Sequence, residues 1–214
     1  MKSIGLFLIA FALLPRAWSA AVTTTAGIGE APAYVAPKAA IHVVTDAEAE
    51  VYAAFLAQAW NKVADNGPLA RQTLLLENDY FDIWHPLRRA WEKYLLTKVR
   101  GQGRAAEDAH SAFLGRPQQI IRFYQFPTLE TPVRLLRSDV LQKAMSLRGW
   151  DGFYETYPKT QGILSLTGIG FGAGGQEAVF GARLQCGKHC GYRDVVLMRK
   201  VNGIWTLIMK DALP

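Results

Sequence analysis

Between positions 51 and 63 the apolar residues recur every three or four places: Val51, Tyr52, Phe55, Leu56, Ala59, Trp60 and Val63. That spacing gives a helix one broad apolar face. The flanking residues agree. Thr45 stands where an N-cap belongs, Glu48 three residues later completes a capping box, and Asp46 adds negative charge to the first turn. Asn66, Gly67 and Pro68 stop the run. RQTLLLEN (71–78) has instead the length and unbroken apolar content of a buried strand. A second amphipathic helix is predicted next, with Pro86 near its first turn and Ile83, Leu87, Trp91, Tyr94 and Leu95 inside, until RGQGR (100–104) breaks it. Residues 105–114 read as a short helix, and 117–126 fit either a strand or a helix. PVRLLRSDVLQKAM (132–145) reads as a short strand followed by a helix with Ser138 as N-cap.

Beyond Gly149 the pattern turns to β. GILSLTGI, EAVFGARLQ, YRDVVLMRK and IWTLIMK are rich in branched and aromatic residues and separated by glycine-bearing turns, the last containing Asn202-Gly203. Runs so close together leave no room for crossover helices, so they are expected to form an antiparallel meander. The predicted fold class is α+β, with N-terminal amphipathic helices packed on one face of a C-terminal antiparallel β-meander. No internal repeat is visible.

The first twenty residues, MKSIGLFLIAFALLPRAWSA, carry Lys2, an apolar run from Ile4 to Leu14 and small residues beyond it, the form of a secretory signal peptide. Cleavage fits after Ser19 or Ala21. The run is about half as long as the roughly 20 residues that span a bilayer, and no second long apolar run follows, so no transmembrane segment is expected in the mature chain. Residues 21–40, rich in Ala, Thr, Pro and Gly, read as a flexible linker, and 41–214 as a single domain. Loss of Lys2 and Arg16 with the leader lowers the formal charge from +6 to +4. In a periplasmic or secreted protein that mild excess makes nucleic acid a poor partner and leaves an anionic envelope component as the candidate.

Candidate chemistry is sparse. Gly170-Phe171-Gly172-Ala173-Gly174-Gly175 matches the dinucleotide fingerprint, but the chain after it continues as a strand where the motif requires a helix. Asp79, Asp82 and His85 are spaced for one helix face and could hold a metal, though an aspartate here serves more simply as an N-cap. The basic side of the second helix, Arg88, Arg89 and Lys93, could meet an anionic partner, or be an ordinary solvated face. Trp150, Phe153, Tyr154 and Tyr157 could line a groove, or mark where helices dock on the sheet. His42, His85, His110 and His189 are scattered, with no nucleophile beside any of them. No catalytic residue, metal site or cofactor is assigned.

CGKHCG (186–191) holds the only two cysteines. As a zinc site it is half a ligand set, and as a redox centre it lacks the C-x-x-C spacing at a helix start. In an oxidising compartment Cys186 and Cys190 are expected to pair, clipping one hairpin tip, with metal and redox roles as the alternatives. His189 is either an exposed turn residue or a hint that the turn faces a ligand.

WDGFYETYPKTQGILSLTGIGF, EAV, CGKHCG and VVLMRKVNGIWTLI together resemble a group of bacterial exported proteins of unknown function with an F-Y-x-x-Y-P-x-S-x-G stretch, a CGxxCG turn and a final L-x-K-x-x-G-x-W hairpin. The matches are Phe153, Tyr154, Tyr157, Pro158, Gly162, Gly170, Phe171, Cys186, Cys190, Leu197, Lys200, Gly203 and Trp205. Thr160 and Thr167 replace serines, and His189 replaces a small or apolar residue. The resemblance implies an exported α+β protein with a disulfide-bearing turn and implies no activity. Two function classes follow: a non-catalytic binding or envelope-associated module, with Arg88, Arg89, Lys93, Trp150, Tyr154, Tyr157 and His189 as its candidate surface, or a hydrolase-like enzyme whose site assembles only in three dimensions. A histidine in a pocket with Ser, Asp or Glu at hydrogen-bonding distance would favour the enzyme.

Overall fold

The computed structural model of the chain describes residues 40–64, 73–78, 80–81, 97–126, 129 and 132–212. Along the chain these form β1 (Ala40–Val43), α1 (Asp46–Ala64), β2 (Thr73–Asn78), β3 (Tyr80–Phe81), α2 (Arg104–Gly115), β4 (Gln119–Arg122), β5 (Val133–Arg137), α3 (Ser138–Met145) and α4 (Gly149–Thr156). Then come β6 (Thr160–Leu166), β7 (Gly170–Phe171), a short 3₁₀ turn, β8 (Glu177–Gly187), β9 (Cys190–Val201) and β10 (Ile204–Ala212). The leader, most of the linker and the predicted second helix up to residue 96, with Asp82, His85, Arg88, Arg89 and Lys93, lie outside the described residues, as does Asp79.

The four C-terminal strands form the expected antiparallel meander, in the order β6-β8-β9-β10, with β7 paired to β8. The sheet they belong to is nevertheless mixed, because β2 lies parallel to both β6 and β5 and extends it to seven strands. Parallel strands need a crossover, and α3 and α4 supply the one from β5 to β6, across β2. β1, β4 and β3 form a second, three-stranded sheet. The segment that fitted strand or helix is therefore strand β4.

Helices cover both faces of the large sheet, a correction to the expected one-sided packing. On one face Val51, Tyr52, Phe55 and Leu56 of α1 bury Leu74, Leu76, Leu164, Phe180, Val196 and Met198. On the other, Ala106, Ala109 and Phe113 of α2 cover Val179, Val195 and Leu197, while Leu141 and Phe153 of α3 and α4 cover Leu75 and Ile163. Strands buried on both faces need apolar residues at successive positions, which explains why Leu74–Leu76 and Val195–Met198 do not alternate with polar ones. α2 packs so closely on β7 that a side chain at Gly170 would meet the Phe113 amide nitrogen at 2.1 Å. Close helix packing, and no phosphate, accounts for that glycine.

The capping box forms as predicted. The Thr45 amide donates to Glu48 Oε2 at 2.9 Å and the Glu48 amide to Thr45 Oγ1 at 3.3 Å. Glu48 does more than cap. Its carboxylate is buried, takes His42 Nε2 of β1 at 2.9 Å and lies 3.7 Å from Arg116, just after α2. Arg116 in turn donates to the Ile169 carbonyl and lies against Gly168, where a side chain would meet its Nε at 2.6 Å. One carboxylate thus joins the small sheet, α1, the end of α2 and the turn after β6. Ser138 does not cap α3, whose N-cap is Arg137. Its hydroxyl donates instead to Glu77 Oε1 at 2.8 Å, and no side-chain cap hydrogen bond forms.

Glu48→Ala should lower unfolding free energy by about 2–3 kcal/mol in a urea titration, since it removes a cap and takes a buried carboxylate away from half-buried Arg116 and from His42. A loss under about 1 kcal/mol, within the range of a simple cap, would show that the network does not tie the elements together.

Candidate functional site

β8 and β9 form a long hairpin whose register is fixed by rows of paired residues. Val179 lies opposite Leu197, Gly181 opposite Val195, Arg183 opposite Arg193 and Gln185 opposite Gly191. Directly opposed residues share a face, so Arg183 and Arg193 project from the α2-covered face, one step beyond the apolar rows. The register then shifts between Gln185 and Gly187, leaving Cys186 in a bulge. Cys186 and Cys190 are disulfide-bonded with Cα atoms 5.0 Å apart, and no free cysteine accompanies them. The bond closes the tip of the hairpin, where Lys188 and His189 are exposed.

α4 reaches this tip from the side. Tyr154 donates its hydroxyl to the Cys186 carbonyl at 3.0 Å. Burial pushes the Tyr154 phenol upward, so it stays a donor through neutral pH. The rest of the aromatic cluster packs inward: Trp150, Tyr154 and Tyr157 lean on buried Phe153, with ring centroids 5.1, 5.0 and 5.5 Å away, and Arg134 sits over Tyr157. Of the candidate surface residues, Tyr154 and His189 are thus brought to one end of the sheet, and Trp150 and Tyr157 anchor the helix that frames it.

The hairpin end forms an open concavity of about 430 Å³ lined by Arg183, Gln185, Lys188, His189, Tyr192 and Arg193, among others. Both arginines are half-buried. Neither has a carboxylate within ion-pair distance or a side-chain hydrogen bond among the described residues. The next residue along their register row is Ser165 of β6, then Glu77 of β2. Glu77 is already occupied, by the hydroxyls of Ser165 and Ser138. On the opposite face Lys210 neutralises Asp194 at 3.3 Å and stacks over Tyr192 at 4.6 Å from the ring centre. Burial pushes the Tyr192 phenol well up, with the Asp194 charge adding to it. The end of the hairpin therefore presents donors and cations, and its acids are spent elsewhere.

Two other concavities flank the start of α1. One of about 520 Å³ is lined by Val44, Asp46, Ala49, Glu50, Tyr124 and Phe126, among others. A smaller one of about 200 Å³ has Phe171, Lys200 and Trp205 as its floor. His42 lies near them in sequence, but its ring is bound to the Glu48 carboxylate, and the nearby Thr45 hydroxyl donates to the same carboxylate at 3.0 Å. No group of three metal-ligating side chains occurs among the described residues. No helix among them is long and apolar enough to cross a membrane.

The arginine pair escaped sequence reading, although the signal was present: 183 and 193 stand five residues either side of Lys188, the centre of CGKHCG. Comparison with known protein families, curated proteins and solved structures found no match.

Two measurements check this geometry. Replacing both cysteines by alanine should lower stability by about 2 kcal/mol on the chain-entropy account of so short a loop. Two titratable thiols in unreduced native protein would instead show that the pair is open. Burial holds the Asp194 carboxyl above its ordinary value of 3.8, outweighing the downward pull of Lys210. Its native pKa being the higher one, it favours the fold fully below 3.8 and loses that contribution as pH rises through the native value. Asp194→Asn should therefore exceed the wild type in Tm at about pH 7, with the gap closing toward about pH 4. A gap that widens on acidification contradicts the assignment.

Proposed function

We propose that this chain is an exported protein, periplasmic or secreted, that acts as a non-catalytic binding module, and that the disulfide-clipped end of its hairpin takes an anionic ligand. The observation that carries this reading is the direct opposition of Arg183 and Arg193, half-buried and without a counter-charge among the described residues. Like charges directly opposite on neighbouring strands destabilise a sheet, and folding alone gives no reason for the arrangement. A bound anion does. The concavity, the nearby Lys188 ammonium and His189 imidazole, and the rigid clip beside them suit such a ligand.

Export is supported by the leader-like start of the sequence and by cysteines that pair as an oxidising compartment would have them. The resemblance to exported bacterial proteins with a CGxxCG turn points the same way. The disposition of hydroxyls supports binding over hydrolysis. Ser165 is at hydrogen-bonding distance from a carboxylate, as a nucleophile would be, but it is fully buried and its partner Glu77 also holds Ser138. His42, the imidazole with a carboxylate partner, has a capping threonine beside it instead of a free hydroxyl.

The test is a ligand screen by thermal shift with small dianions, covering dicarboxylates, sulfate and phosphate, at low ionic strength. At least one should raise Tm in a concentration-dependent way, with the effect lost in the Arg183→Ser, Arg193→Ser double variant and weakened by salt. If no anion stabilises the wild type at low salt, the reading fails.

A further inference from the structure

We infer that the ligand group seated between Arg183 and Arg193 is a phosphoryl group carrying two negative charges, presented as a phosphate monoester. This rests on the binding reading above and narrows its ligand to one chemistry. Three features of the hairpin end point to it.

The first is charge. Two arginines opposed across one strand pair and lining one concavity, with Lys188 at the tip, put at least two positive charges on its wall. A monocarboxylate answers one of them. The second is shape. Each guanidinium offers parallel N–H donors as a fork, and two forks facing one space require an acceptor with more than two oxygens. A tetrahedral oxyanion supplies them, and a planar carboxylate does not. The third is room. A concavity of about 430 Å³ is several times larger than one tetrahedral group, so it suits an anion attached to something else. Attachment separates the two common tetrahedral anions. A sulfate ester retains a single charge, whereas a phosphate monoester still carries close to two at neutral pH.

The surroundings are consistent with this occupant. Arg183, Arg193 and Lys188 only donate, and the carboxylate on their register row, Glu77, is two strands away from Arg183 and held by two serine hydroxyls. The disulfide and the Tyr154 hydrogen bond hold the tip in place before a ligand arrives.

The experiment is calorimetric titration of the purified full-length protein with phenyl phosphate, inorganic phosphate, phenyl sulfate and succinate, together with sedimentation against phosphatidylcholine vesicles with and without phosphatidic acid. Phenyl phosphate should bind at least about tenfold more tightly than phenyl sulfate or succinate. Arg193→Gln and Arg183→Gln should each weaken it by roughly ten- to a hundredfold, the range for hydrogen bonds between charged groups. Arg193→Lys, which keeps the charge and loses the fork, should fall between. Arg148→Gln, at an exposed arginine already paired with Glu155, should change nothing. The free Arg193→Gln protein should unfold at the wild-type Tm or above it, because the substitution removes repulsion, so a loss of binding will not be a loss of fold. Cosedimentation that needs phosphatidic acid and is competed by phenyl phosphate identifies a lipid headgroup as the source, and phenyl phosphate binding without cosedimentation identifies a soluble monoester. Succinate or phenyl sulfate binding as tightly as phenyl phosphate overturns the phosphoryl assignment while leaving an anion site in place. No binding of any of the four overturns both.

Discussion

The register of the β8–β9 hairpin is the constraint on which the functional account depends. Rows of apolar residues, Val179 with Leu197 and Gly181 with Val195, lock that register against α2. Because side chains alternate between faces with a period of two, a slip of one residue would send every buried side chain to the wrong face. The fold cannot make that adjustment, so Arg183 and Arg193 are forced together one step further along. The same rows that stabilise the core create the electrostatic conflict at its edge. Under the proposal above, an external anion is what would relieve it.

The rest of the molecule holds that edge still. α3 and α4 form the crossover from β5 to β6, between which β2 lies in parallel, and α4 then lies beside the hairpin tip with Tyr154 bonded to the Cys186 carbonyl. The disulfide closes a loop too short to add much global stability, and its effect is local. On the far side, Glu48 joins α1, β1 and the end of α2 through a single buried carboxylate.

Much of this was legible in the residues themselves. The Thr45–Glu48 capping box, the apolar face of α1, the Leu74–Leu76 strand, the meander and the clipped turn all rest on interactions between near neighbours in sequence, where spacing carries the information. What was missed involves distant partners. The parallel placement of β2 and β5 depends on a crossover whose destination no local pattern states. Ser138 looked like a cap, and its hydroxyl went to Glu77, 61 residues away. The aromatic cluster could be a groove or a docking layer from its sequence alone, and its packing against Leu75 and Ile163 is a contact between distant elements. Arg183 and Arg193 each look like an ordinary strand arginine. Their meaning comes from the register, which a count outward from the turn supplies once the hairpin is accepted.

The claim that the two guanidiniums form one anion site is tested most directly by watching them. In a nitrogen-15 NMR titration with phenyl phosphate, the side-chain Nε–H signals of Arg183 and Arg193 should shift together along a single saturable curve, while the ion-paired Arg137 and Arg148 stay in place. Shifts confined to other arginines, or separate curves for the two, would contradict the account.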